Sequence, residues 1–270
     1  MLRVTFHGVR ASTPAPGHVS RHYGRRTPCV AVEVEGRDPI LLDLGTGVGR
    51  WVPSLERGSV PLLPSRVHAL VTLADTGHLG GRPALGPLEA HGTRVDVYGP
   101  RPPGGRRARA GPHARMIPVD DEELVVGDAK VMVRPVPTSP TPAGLANGYR
   151  LEWEGASVAY VSDHQAPVRL DTVAQDVLEL AEGVDLLIHD ARLSTAMWGH
   201  RSGEGRSTVD YAVLVAREAG ARCLALFNHD PDHDDDQIDR LLAGARRRAE
   251  RLGVDEVIAA AEGATRSFGP

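Results

Sequence analysis

The sequence predicts an α/β protein in which two sheets pack face to face between helical layers, an αββα sandwich. Three observations carry that prediction. The 270 residues suffice to bury one sizeable core, so one large domain over 1–270 is expected rather than two small ones. Strand-like runs come in two sets, each closed by helical segments. No repeat of solenoid period interrupts the order. Mostly β halves with apolar faces must bury them against each other and against helices, which gives the layered arrangement.

In chain order, the first half offers strand-like runs at Arg3–His7, Val30–Val34, Ile40–Leu44, Ala69–Leu73 and Val95–Tyr98, separated by glycine and proline turns. "RPPGGRRARAGPHAR" follows, at residues 101–115. It has no apolar periodicity and reads as a Pro/Gly/Arg-rich loop or lid over about 100–116. Strands are then expected at Lys130–Val136, Gly148–Trp153, Val158–Val161, Leu186–His189 and Cys223–Phe227. Helices are expected over Asp171–Ala181, Thr208–Ala219 and Asp235–Leu252. The last opens on Asp234-Asp235-Asp236, where acidic residues suit a helix cap and dipole better than a calcium site.

Composition narrows the function. The chain has no apolar run of membrane-spanning length, and "MLRVTFHGVR" lacks the apolar stretch of a signal peptide. A soluble cytoplasmic protein with no membrane partner is expected. The net charge of −4 argues against a surface built for nucleic acid. Cys29 and Cys223 sit in strand-like contexts without C-x-x-C spacing, which predicts buried, inert thiols. Lys130 is the only lysine in a chain rich in Ala, Gly, Pro and Arg. That bias suggests a GC-rich bacterial genome and disfavours lysine-based catalysis.

Seven segments then occur in a telling order: "HGVRASTPAPG", "HYGRRTPCV", "LLDLGTGVGR", "VAYVSD", "VDLLIHDA", "GEGRSTV" and "LALFNHDPDHDD". In order and approximate spacing they resemble the metallo-β-lactamase-fold hydrolases, from about Val4 to about Gly263. The resemblance implies an αββα sandwich with one or two metal ions, usually zinc, at the mouth between the sheets, where a metal-bound hydroxide attacks an ester, amide or phosphodiester.

The family's first ligands come from T-H-x-H-x-D-H-x-x-G. Laid on "VTLADTGHLGG", residues 71–81, the resemblance puts Leu73 and Asp75 at the first two histidines, Gly77 at the aspartate and His78 at the last histidine. Gly81 keeps the structural end. The next ligand position falls near Thr138, the bridging aspartate at Asp163, and the final histidine at Asn228. His78 and Asp163 thus persist and are the candidate catalytic residues, with Asp75 and Asn228 as weaker donors. The sequence predicts no retained metal. The alternative is one divalent ion, zinc, manganese or iron, on Asp75, His78 and Asp163. A structural reading stays open too, with His78 capping a helix near Leu79 and Asp163 accepting backbone hydrogen bonds.

Arginine enters where the family carries other residues. Arg25 and Arg26 stand at glycine and asparagine positions of Y-G-G-N-T-S-C, and Arg206 stands at the histidine of G-H-S-T. Guanidinium groups bind phosphate or carboxylate without a metal. The expected ligand-binding set is therefore Arg25, Arg26, Arg206, Asp75 and Asn228, and the expected ligand is a small anion. His189 and Asp190 are read as structural and hydrogen-bonded, and "NHDPDH" as a turn rather than a second metal site. The leading expectation is a non-hydrolytic or metal-independent member of the fold that binds a small anionic ligand or a partner in the old cleft. A divergent phosphodiesterase- or esterase-like hydrolase using one metal is the second.

Overall fold

The computed structural model describes residues 1–11, 21–55, 63–100, 114–138, 145–167, 169, 171–201 and 205–269. The first sheet holds β1 (Leu2–Gly8), β2 (Cys29–Val34), β3 (Ile40–Leu42), β4 (Arg66–Leu70), β5 (Arg94–Gly99) and β6 (Ala114–Pro118), with β14 (Thr265–Phe268) at its far edge. The second holds β7 (Glu122–Val126), β8 (Ala129–Pro137), β9 (Leu145–Trp153), β10 (Ala156–Val161), β11 (Leu186–Asp190), β12 (Cys223–Phe227) and β13 (Glu256–Ala259). Their orders are β14-β1-β2-β3-β4-β5-β6 and β13-β12-β11-β10-β9-β8-β7.

Helices α1 (Val48–Leu55), α2 (Thr76–Leu79) and α3 (Gly86–Ala90) belong to the first half, and α4 (Gln175–Ala181), α5 (Thr195–Arg201), α6 (Val209–Ala219) and α7 (Asp235–Leu252) to the second. The strand period of two sorts the core into layers. Val158, Tyr160, Ile188 and Phe227 meet Phe6, Val30 and Leu42 between the sheets. The alternate residues Ala159, Leu187 and Leu224 pack with the helical residues Val177, Tyr211 and Val215. On the other side, Ala31, Leu41 and Ala69 pack with Trp51 of α1. Strands buried on both faces read as continuous apolar runs, which is why the sequence reveals them.

The connectivity sets up one functional end. β3 through β6 run parallel, as do β10 through β13. Parallel strands deliver their carboxyl ends to the same side of a sheet, the side on which open α/β sheets carry ligands. Asp43, Thr72, Ser162–Asp163 and Asn228 all lie just past such ends, and Asp190 closes one.

Several expectations need correction. The run Ala69–Leu73 leaves the sheet after Leu70, and Ile40–Leu44 after Leu42. The helix expected from Asp171 starts at Gln175. Residues 101–113 of the expected loop lie outside the described residues, whereas 114–116 belong to strand β6, pairing in parallel with β5. Edge strands β6 and β7 and the short β13 and β14 escape a reading by apolar runs, because an edge tolerates charges such as Arg115, Glu122 and Glu123. Asp234 does cap α7, in a reciprocal capping box with Gln237. Cys29 and Cys223 are buried free thiols. Among the described residues no helix is long and apolar enough to cross a membrane.

Candidate functional site

The motif turn is docked by backbone contacts. The Leu44 N–H donates to the His78 carbonyl at 2.7 Å, and the Gly81 N–H donates to the Leu44 carbonyl at 2.8 Å. The approach is so close that a Cβ on Gly81 would lie 1.7 Å from the Gly45 carbonyl oxygen. Glycine is thus required there by contact. Asp75 caps α2 by accepting from the His78 N–H at 3.0 Å. His78 therefore sits inside the helical turn that Asp75 caps, which corrects the expectation that His78 is itself the cap.

This docking places the His78 ring, 1% exposed, among carboxyl groups. Its Nδ1 lies 2.8 Å from Asp75 Oδ1, and its Nε2 lies 2.8 Å from Asp163 Oδ2 and 3.9 Å from Asp43 Oδ2. The Asp163 contact has ion-pair distance without the alignment of a hydrogen bond. Burial opposes charging the ring, but the carboxyls of Asp43 and Asp163 outweigh it and hold the pKa well above that of ordinary histidine.

Asp43 was not singled out as a site residue. Its Oδ1 accepts from the Thr72 N–H at 2.7 Å, and its Oδ2 accepts from the Tyr160 hydroxyl at 2.7 Å and the Thr72 hydroxyl at 3.0 Å. Burial pushes this carboxyl upward, against the pull of His78 and those hydrogen bonds. Asp43 holds a left-handed backbone, φ 61°, and so does Asn228, φ 60°. Two such non-glycine residues in one place suit a functional region, where strain is held by surrounding structure. The signal in sequence was the lone acid of "LLDLGTG", closing an apolar strand before two glycines.

From the second sheet, Asp163 meets Arg206, whose Nη1 donates to Asp163 Oδ1 at 2.9 Å and to the Gly205 carbonyl at 3.0 Å. Asp163 thus pairs with two side chains rather than accepting backbone hydrogen bonds at a strand end. Beside it, Asp190 accepts from the Ser207 N–H at 3.0 Å and the Asn228 amide at 2.8 Å. Burial and the charge of Asp163 push Asp190 up to about 7. Asn228 also donates to the Ser162 carbonyl at 2.8 Å.

The other expected residues lie apart from this network. Arg26 pairs with Glu262 at 2.6 Å, and Glu262 also accepts the backbone N–H groups of Arg25 and Arg26. Arg25 is exposed. His189 donates from Nδ1 to the Asp190 carbonyl at 2.7 Å, and His229 donates from Nε2 to the Ala260 carbonyl at 2.9 Å. His164 points away from Asp163, donating from Nδ1 to the Pro137 carbonyl with Nε2 3.2 Å from the Tyr211 hydroxyl.

Could these residues hold a metal? Leu73 and Gly77 offer no donor. His78 Nε2, Asp163 Oδ2 and Asn228 Oδ1 are buried polar atoms without a hydrogen bond, and they are what a cation could satisfy. Yet two ligands on a tetrahedral zinc stand about 3.3 Å apart, from metal–ligand distances near 2.05 Å, and His78 and Asp163 approach to 2.8 Å. Asp75 addresses the opposite nitrogen of the ring, so Asp75, His78 and Asp163 do not converge on one point. This corrects the expected three-donor alternative. Among the described residues, no group of three or more His, Cys, Asp or Glu side chains is arranged to hold a metal ion. The residues present do not fit the family's metal centre.

Two mixed sheets between helical layers, with this network past the carboxyl ends of their parallel strands, define a metallo-β-lactamase sandwich. The family profile described as the beta-lactamase superfamily domain matches residues 40–229, and the chain belongs to that family. The metallo-β-lactamase-fold protein YhfI from Bacillus subtilis has a similar structure over 98% of each chain, with a TM-score of 0.74 and 17% identity. A diphosphatase from the PhnP family aligns over 100% of this chain and 98% of its own, with a TM-score of 0.71 and 20% identity. Likeness at these identities shows the fold. In sequence, ribonuclease BN from Escherichia coli O1:K1 is 38% identical over 69 residues, which are 26% of this chain and 23% of the ribonuclease.

Proposed function

We propose that this chain is a metal-independent, non-hydrolytic member of its family that binds a small anionic ligand, or a partner presenting one, in the old active-site cleft. The observation that carries the reading is the 2.9 Å contact between Arg206 Nη1 and Asp163 Oδ1. In the family resemblance Asp163 takes the place of the metal-bridging carboxylate, and burying such a charge is costly unless a cation answers it. Here a guanidinium answers it from one side and the His78 ring from the other. The similar proteins include one named a diphosphatase and one named a ribonuclease, names that denote phosphate-bearing substrates, which supports an anionic ligand while leaving the chemistry to this chain's own residues. We take residues 1–270 as a single metallo-β-lactamase-like domain, working in the cytoplasm.

The test is metal analysis of protein purified without chelator or histidine tag, with thermal melting before and after chelation. Less than one equivalent of transition metal and an unmoved melting temperature are expected. A bound metal stabilises the folded state by mass action, so its removal has to show. Stoichiometric metal, lost together with stability, sinks the proposal in favour of hydrolysis at a single ion.

A further inference from the structure

Arg206 uses one of its three nitrogens twice. Nη1 donates to Asp163 and to the Gly205 carbonyl, whereas Nε and Nη2 have no partner among the described residues. Neither is among the buried unsatisfied atoms, and the side chain is 18% exposed, so solvent reaches the part of the guanidinium left over. Nε and Nη2 form one edge of the planar fork. That edge donates two parallel hydrogen bonds and matches a group with two equivalent oxygens.

The surroundings limit how much charge such a group can carry. Around Asp163 stand the carboxyl groups of Asp43 and Asp75, both reached through His78, and Asp190, whose Asn228 partner also binds the adjoining Ser162 carbonyl. Against these four carboxyl groups stand, among the described residues, two basic side chains in contact with Asp163, His78 and Arg206. Arg206 is already shared with Asp163. Among the described residues, a second negative charge on the ligand meets acidic neighbours with no further cation in this network to answer it.

We infer that the ligand of this cleft is a singly charged anion bound through two oxygens to the Nε–Nη2 edge of Arg206, a carboxylate or a phosphodiester, and that doubly charged phosphate monoesters are rejected. The inference rests on the proposed anion-binding role. It adds the charge class and the contact edge, both of which follow from the partners of Arg206.

Acetate, dimethyl phosphate and methyl phosphate serve as probes at pH 8, where methyl phosphate is doubly charged. Each is titrated into wild type, with the Arg206 Nε–Hε resonance followed by NMR, and into Arg206→Lys, which keeps the charge but removes the fork, with the backbone amide resonances of Asp163 and Ser207 followed in both proteins. One singly charged probe should shift the resonance with an affinity about tenfold above that of methyl phosphate, the scale of one extra charge felt across a cleft. Arg206→Lys should lose the preference. Comparing acetate with dimethyl phosphate identifies the oxygen source. Methyl phosphate binding as tightly as either overturns the inference and leaves the anion cleft standing. Equal binding by Arg206→Lys overturns the assigned edge. If no probe binds wild type, the anion-binding reading falls and the inference falls with it.

Discussion

His78 Nε2 stands 2.8 Å from Asp163 Oδ2, and Arg206 Nη1 stands 2.9 Å from the other oxygen of the same carboxylate. One side chain comes from the helical turn behind the first sheet and the other from the segment leading into α6, so the contact ties the two halves across the mouth. A buried carboxylate contacted by two basic side chains is compensated without an exogenous ion.

Arg206→Ala should therefore be costly. It leaves Asp163 with an uncompensated buried oxygen, a loss of about 3–5 kcal/mol for breaking a buried pair, reduced toward the lower end because Arg206 retains 18% exposure. A double-mutant cycle with Asp163→Ala in urea isolates the pair. Additive losses, within about 0.5 kcal/mol, mean the two do not act together.

Much of this site was legible because the motif positions are local. His78, Asp163 and Arg206 each fall at recognisable places in short segments, and the structure brings those three together. Asp43 and Tyr160 escaped notice because their hydrogen bond joins residues 117 apart in sequence, one from each sheet. No periodicity in either strand reports it. Arg26 was misplaced for a related reason. Glu262, distant in sequence in the turn before β14, captures the guanidinium. The buried strands were legible from their apolar runs, whereas β6, β7, β13 and β14 are edge strands that carry charge.

Gly81→Ala tests the docking that aims His78. With the new Cβ in collision with the Gly45 carbonyl, the motif turn must move, and overpacking of this kind costs about 1–3 kcal/mol or more. Gly49→Ala is the matched control. It lies within α1, exposed, with nothing within 4 Å of the added Cβ, so a gain of about 0.4–1 kcal/mol is expected from the unfolded state alone. Equal urea midpoints for the two variants are incompatible with the docking described.

Stability should fall as pH drops below 6.5. Burial depresses His7 and His189 to about 4 and His164 and His229 to about 3, from 6.5. A histidine with a depressed folded pKa binds fewer protons folded than unfolded, so its contribution is full above 6.5 and is lost as pH falls toward 3–4. Asp190, raised to about 7 from 3.8, acts oppositely. Its contribution is present at low pH and is lost as pH rises through 7. His78, raised well above 6.5, contributes below 6.5 and loses that contribution on the alkaline side. These depressed histidines, joined by His68, which burial also lowers, set the acid limb, at up to about 1.4 kcal/mol per pH unit for each proton. His189→Phe should flatten that limb by one proton, read from urea midpoints between pH 4.5 and 6.5. An unchanged slope removes His189 from the account.

Glu262 should matter more than the arginine it pairs with. Its Oε1 accepts the N–H groups of Arg25 and Arg26, both at 2.6 Å, and its Oε2 takes the Arg26 guanidinium at 2.6 Å. The carboxylate side chain is 7% exposed and the Arg26 side chain 41%. Glu262→Ala leaves two backbone donors without their acceptor, and hydrogen bonds to a charged group are worth about 1.5–3 kcal/mol each. Glu262→Gln keeps one oxygen but turns an amide toward Arg26, so its loss should be intermediate. Arg26→Ala removes only the half-exposed side of the pair, worth about 0–1 kcal/mol, and leaves the backbone clamp intact. The expected order of urea midpoints is wild type, Arg26→Ala, Glu262→Gln, Glu262→Ala, from most to least stable. Arg26→Ala should also bind acetate or dimethyl phosphate as wild type does, since Arg26 pairs with Glu262 and stands outside the Asp163–Arg206–His78 network. An Arg26→Ala variant as unstable as Glu262→Ala means the salt bridge, and not the backbone clamp, holds the segment. Loss of anion binding in that variant returns Arg26 to the cleft.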